Sequence, residues 1–310
     1  MRLVPIALLA LALAVAVVLP GQPALGARKI VISTDIGDDI DDAFALAFAV
    51  NSPELRVDAV IASYGHTLRK ARLVQKLLYI AGRSDIPVLI GKHAENGDSK
   101  QLQWAGDWKP RNLVCDGPRA LARRIMRSRD KTTLVPYGPL TDIAEMLRIE
   151  PRVKERIDEI ILMGGSAYRG WEEGEPPCPE YNIMADVAAA RCVFESGLPI
   201  VMVGLDVTTM MKLGPPEIER IKNSPSPLAQ ALYALYIRWW GHRGPTMYDP
   251  VALAVAFQRD LVKMEHDRVE IADNGLTRIV PGGKPNVWVC VEVDKERFMR
   301  LFMARIMRQP

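Results

Sequence analysis

Short, unbroken apolar runs alternate along this chain with longer segments of helical patterning, beginning at residue 29. The runs at 29–33, 57–63, 87–90, 133–136, 160–163 and 200–203 read as strands, and 41–50, 68–81, 118–128, 140–147, 185–196 and 228–240 as helices. Strand and helix in turn argue for a mostly parallel sheet with helices on both faces. The strands are apolar throughout rather than alternating, as expected when both faces of a sheet are covered. The pattern therefore predicts an α/β fold: a single domain around a mostly parallel, Rossmann-like central sheet flanked by helices. In such sheets ligands gather at the carboxyl ends of the strands. Two irregular stretches, 93–117 with Trp104 and Trp108 and 166–181 with Tyr168 and Trp171, have the length and composition of lids.

The first 27 residues break this pattern. Arg2 is followed by an apolar run from Ile6 to Leu19, then by Pro20, Gly21 and Pro23, and by small residues up to Ala27. That is the layout of a secretory signal peptide, and the run is short for a bilayer span. The expected organisation is a leader over 1–27 and one domain over 28–310, with the mature protein secreted or periplasmic and not stably inserted in a membrane. Export opens the four cysteines, Cys115, Cys178, Cys192 and Cys290, to disulfide formation in any of three pairings. Burial as small hydrophobes is the competing reading for Cys192 and Cys290. Their spacing matches no zinc motif.

Composition removes some functions. With 40 basic and 37 acidic residues and no basic stripe, the chain lacks the electrostatic footprint of a nucleic-acid binder. No Gly-x-Gly-x-x-Gly follows a strand, which argues against a dinucleotide enzyme. Ser33 stands two residues before Asp35, where a haloacid-dehalogenase-like phosphatase needs its nucleophilic aspartate.

Charge is concentrated at one place. Asp35, Asp38, Asp39, Asp41 and Asp42 fall within eight positions, between the first strand and an apolar helix. Neighbouring carboxylates raise one another's pKa, so this density is costly unless a cation neutralises it. An all-oxygen donor set suits Ca²⁺ or Mg²⁺ better than zinc. A solvated, helix-capping loop is the bland alternative.

The segment Ser33-Thr34-Asp35-Ile36-Gly37…Asp41-Asp42-Ala43 resembles the amino-terminal metal motif of nucleoside hydrolases. Four further blocks or block pairs are similar to that family, in its order: 135–142, ending Tyr137-Gly138-Pro139-Leu140-Thr141-Asp142; Met163-Gly164-Gly165 with 180–186; 203–208; and 248–254. The likeness spans about residues 29 to 300. It implies a calcium-dependent N-ribohydrolase acting on a small-molecule riboside, with family members often forming homo-oligomers. By the same resemblance Asp35, Asp42, Asp249 and the Tyr137 carbonyl hold Ca²⁺, Asp35 also serves as general base, Asp41, Glu180 and Asn182 bind the sugar, and Met163 belongs to the substrate-binding residues. A secreted calcium-dependent riboside-binding protein without turnover is the rival expectation.

The departures from the family pattern lie at the sugar and base contacts. Two extra residues separate Gly37 from the Asp41-Asp42 pair, and His66 occupies the place of a sugar-binding Asn. Trp171 and Glu172 lie where a second Asn is expected. Tyr248 stands where purine-accepting members have a His that protonates the departing base; an ordinary tyrosine, with a pKa of about 10, is a poorer donor. His66 or His242 are the candidate substitutes. Leu232, Tyr236 and Trp240, at four-residue spacing, read first as a core stripe. Tyr233, Tyr236, Trp239 and Trp240 are also the candidates to stack on a base.

Overall fold

The computed structural model describes residues 24, 26–95, 99–106, 108–172, 174–239 and 244–308. The expected leader falls largely outside them, as do Trp240 and His242. Ten strands are described: β1 Arg28–Thr34, β2 Leu55–Ala62, β3 Val88–Ile90, β4 Thr132–Pro136, β5 Ile157–Met163, β6 Ile200–Val203, β7 Val262–Asp267, β8 Val269–Ile271, β9 Thr277–Ile279 and β10 Val287–Val293. Eight form one sheet in the order β3-β2-β1-β4-β5-β6-β10-β7. Every pairing in it is parallel except β10 with β7. The mostly parallel α/β fold read from the sequence is the fold observed.

The helices up to the middle of the chain are α1 Asp41–Val50, α2 Thr67–Ile80, α3 Lys100–Ala105, α4 Gly117–Arg127, α5 Thr141–Ile149 and α6 Tyr181–Met184. Beyond them come α7 Val187–Phe194, α8 Leu205–Thr208, α9 Pro215–Lys222, α10 Pro227–Tyr236, α11 Tyr248–Val255 and α12 Lys295–Ile306. They cover both faces of the sheet and create two cores. One contains α1, α2, α10, α11 and α12; the other contains α4, α5 and α7. Helix α1 is buried at every position, including its two aspartates. A helix apolar on all sides must lie inside the molecule, and Phe44 and Phe48 pack there against Phe298 and Phe302 of α12.

Several elements differ from the sequence reading. The helix expected over 185–196 starts at Val187, because Asp186 caps it by accepting the Ala189 N–H at 3.0 Å. The helix expected over 228–240 ends at Tyr236. The stretch 93–117 contains α3, which Ser99 caps through its hydroxyl. All four cysteines are free thiols, and Cys192 is exposed rather than buried; Cys290 is buried in β10. Among the described residues, no helix is long and apolar enough to cross a membrane.

Strand order reverses at β1, with β2 on one side and β4 on the other. A crevice opens at such a switch point, beyond the carboxyl ends of the two diverging strands. Ser33 pairs with Pro136 across it, and the Tyr137 N–H donates to the Ser33 carbonyl at 2.9 Å. The acidic loop leaving β1 and the turn leaving β4 therefore emerge side by side.

Candidate metal and active site

A cavity of about 600 Å³ opens at this crevice. Its floor carries the acidic cluster, and Met163, Trp171, Glu180, Asn182, Tyr248 and Asp249 contribute to its walls. Asp41 and Asp42 arrive on the first turn of α1, and Asp249 on the first turn of α11. One carboxylate oxygen from each of these three residues lies within 4.8 Å of the others. All three residues are buried. Burial, reinforced by mutual repulsion, drives their pKa values well above the ordinary carboxylate range. Two contacts fix the geometry: Thr34 Oγ1 donates to Asp42 Oδ1 at 2.5 Å, and the Asp249 N–H donates to Asp41 Oδ2 at 3.0 Å.

Asp35 stands beside this triad rather than within it. It is buried, and desolvation pushes its pKa up to about 7, with Lys70 opposing the rise and Asp38 adding to it. The turn after β4 fits closely against it. A Cβ on Gly138 would come within 2.6 Å of Asp35 Oδ1, so only glycine permits this approach. Asp41, assigned to the sugar by resemblance, is grouped by the geometry with the candidate metal ligands.

The donor set tests whether a cation fits. Three buried carboxylates share one small volume, and neither His nor Cys is among the described residues lining the cavity. Oxygen donors alone, at this charge density, fit a hard divalent cation. Asp41, Asp42 and Asp249 would hold it, with Asp35 and the Tyr137 carbonyl at the adjacent strand ends.

The opposite wall comes from β5 and α6. Glu180 caps α6: Asn182 N–H donates to Oε1 at 3.0 Å, Ile183 N–H to Oε2 at 3.2 Å and Gly165 N–H to Oε2 at 2.9 Å. Burial still raises its pKa, against the lowering by those donors. Asn182 Nδ2 donates to the Met163 carbonyl at 3.2 Å, which turns its amide toward the end of β5. Tyr248 lines the cavity edge-on to Trp171, ring centroids 6.0 Å apart, and burial pushes its pKa up to about 12.

Other expected contributors are placed differently. His66 stands at the N-terminal boundary of α2 without a capping side-chain hydrogen bond, packs against His93 with ring centroids 5.4 Å apart, and is not among the described residues lining the cavity. On α10, Leu232 belongs to the core and Tyr236 is half-buried, whereas Trp239 just beyond the helix reaches the cavity. Sequence reasoning missed Lys70, Ser99 and Gln101. Ser99 Oγ donates to the Gly37 carbonyl, and Gln101 Nε2 to the Asp39 carbonyl at 2.9 Å, so α3 clasps the acidic loop. A serine followed by a short helical pattern was the available signal for that clasp. Lys70 carried none.

Known proteins share both the fold and the length of this chain. A pyrimidine-specific ribonucleoside hydrolase, RihA, from Klebsiella pneumoniae (strain 342) is 31% identical, over 90% of this chain and 98% of its own. The enzyme of the same name from Photobacterium profundum is also 31% identical, with the same coverage. Among solved structures, a plant nucleoside hydrolase, PpNRh1, superposes with a TM-score of 0.78 at 28% identity, covering 90% of this chain and 99% of that one. A purine-preferring ribonucleoside hydrolase from Gardnerella vaginalis gives 0.73 at 26%, covering 90% and 98%. The family model described as inosine-uridine preferring nucleoside hydrolase matches residues 30–300. With that match over nearly the whole domain, the chain belongs to the inosine-uridine preferring nucleoside hydrolase family, and it is a hydrolase of N-glycosyl bonds.

Proposed function

We propose that this protein hydrolyses the N-glycosidic bond of ribonucleosides with the help of a calcium ion held by Asp41, Asp42 and Asp249, Asp35 and the Tyr137 carbonyl completing its surroundings. The observation that carries the reading is the buried carboxylate triad at the foot of the cavity. Three such groups crowded together favour a dication over any neutral occupant. When bound, the ion would acidify a water molecule and polarise it for attack.

The chain's own residues supply the rest. Asp35, buried beside the triad and lining the cavity, is placed to accept a proton from an attacking water. Glu180 and Asn182, each held in place by backbone contacts, face the cavity with oxygen and amide groups suited to vicinal sugar hydroxyls. The crowded carboxylates stabilise the positive charge that develops on the sugar in an oxocarbenium-like transition state. With its pKa near 12, the Tyr248 hydroxyl stays protonated at neutral pH and can donate a hydrogen bond to the departing base. Trp171 beside it offers an aromatic face. We further propose that residues 1–27 direct export, which would place the enzyme in a calcium-rich compartment.

Ribose release from uridine, cytidine, inosine, adenosine and nicotinamide riboside, with added calcium and after chelation, tests the reading. Uridine and cytidine head the panel because the RihA relatives are named for pyrimidine ribonucleosides. Calcium-dependent release from at least one member is expected. Release that survives chelation unchanged would remove the metal from the account, and no release from any member would refute the substrate class.

A further inference from the structure

Lys70 lies in the first turn of α2 and is 1% exposed. Its Nζ donates to the Asp35 carbonyl at 2.6 Å and pairs with Asp38 Oδ2 at 2.8 Å. A buried ammonium is tolerated only when paired and hydrogen-bonded, and both partners belong to the loop between β1 and α1. Asp38 itself is one of the two residues by which this loop exceeds the family pattern. It lines the cavity, yet it is not part of the buried carboxylate triad. The loop is held from its other side by Ser99 and Gln101, and Gly37 turns it with a φ of +103°.

Resting on the calcium reading above, we propose that Lys70 is a positioning residue that sets the strength of cation binding: it holds Asp38 away from the ion and cancels its charge. Lys70 and Asp38 then act as a neutral pair beside the triad, and Asp38 is not one of the ion's ligands. Without the lysine, two changes favour the cation together. A positive charge leaves the neighbourhood of the ion, and the Asp38 carboxylate loses the ammonium that balances it.

Calorimetric titration of the full-length protein with Ca²⁺ alone tests this, using wild type, Lys70→Met, Asp38→Asn and the double variant. Lys70→Met should bind Ca²⁺ at least about tenfold more tightly, Asp38→Asn at least about tenfold more weakly, and the double variant within about threefold of wild type. Unchanged or weaker binding by Lys70→Met would overturn the proposal, because a purely structural clamp would loosen the site when removed. A double variant as weak as Asp38→Asn would also overturn it, by showing that Asp38 is itself a ligand. Should Lys70→Met not fold, Asp38→Asn, a near-isosteric change at a partly exposed side chain, carries the test, and wild-type affinity in it would sink the idea. No binding heat with wild type would refute the calcium reading and this inference with it. Normal wild-type binding with unaltered variants would refute this inference alone.

Discussion

On the first turn of α5, Asp142 accepts the Lys92 N–H at 2.8 Å through Oδ1, while Oδ2 is buried with no partner among the described residues. Burial pushes its pKa from the ordinary 3.8 up to about 7. The folded state therefore keeps a proton that the unfolded chain releases above about pH 4. With fewer protons bound to the unfolded chain, stability falls as pH rises from there toward 7, by at most roughly 4 kcal/mol from this group. Asp142→Asn, which mimics the protonated form, should flatten the pH dependence of the urea midpoint between pH 4 and 7 relative to wild type. Parallel curves for the two proteins would contradict the assignment. At this scale the acidic residues were legible in the sequence, because five aspartates between a strand and an apolar helix have few structural uses. Lys70 was not legible. A lysine in a helix reads as solvent-facing, and its partners lie more than 30 positions away in the chain.

Between residues and the whole fold, the elements around the cavity are tied together by buried side chains acting on backbone. Asp206, in α8, is 1% exposed and accepts the N–H groups of Ala167, Tyr168 and Arg169 at 3.1, 2.6 and 3.1 Å. It thereby fixes the start of the loop that carries Trp171 to the cavity. Asp206→Ala leaves three donors short of an acceptor and should cost roughly 2–4 kcal/mol in urea unfolding. The same variant should raise KM for the ribonucleoside, since Trp171 loses its anchor. Stability equal to wild type would show that the loop is held by other means. The strands of the parallel sheet were readable as apolar runs. The edge pair was not: β7 is buried only at Val262 and carries charged residues, so it gives no continuous run, and the apolar run Val287 to Val291 that opens β10 went unassigned. The short α3 was hidden by the polar composition of its stretch, although its serine cap and its grip on Gly37 and Asp39 make it part of the site.

For the molecule as a whole, the strand-order reversal at β1 explains why residues distant in sequence meet. Asp42 and Asp249 are brought together because α1 and α11 both begin at this end of the sheet and pack against each other. The order of motifs along the chain announced the family, but it did not show that Asp41 joins the triad or that His66 is not among the described residues lining the cavity. Those facts depend on helix phase and on how the crevice opens. The central claim is that the triad holds a calcium ion and that hydrolysis depends on it. Its most direct test is Asp249→Ala, assayed on the same sample by calcium calorimetry and by ribose release from the best substrate. Calcium affinity should fall at least about 100-fold and turnover at least about a thousandfold. The metal-free variant should be no less stable than the metal-free wild type, because a buried, uncompensated carboxylate has been removed. An Asp249→Ala protein that binds calcium and releases ribose like the wild type would contradict the account.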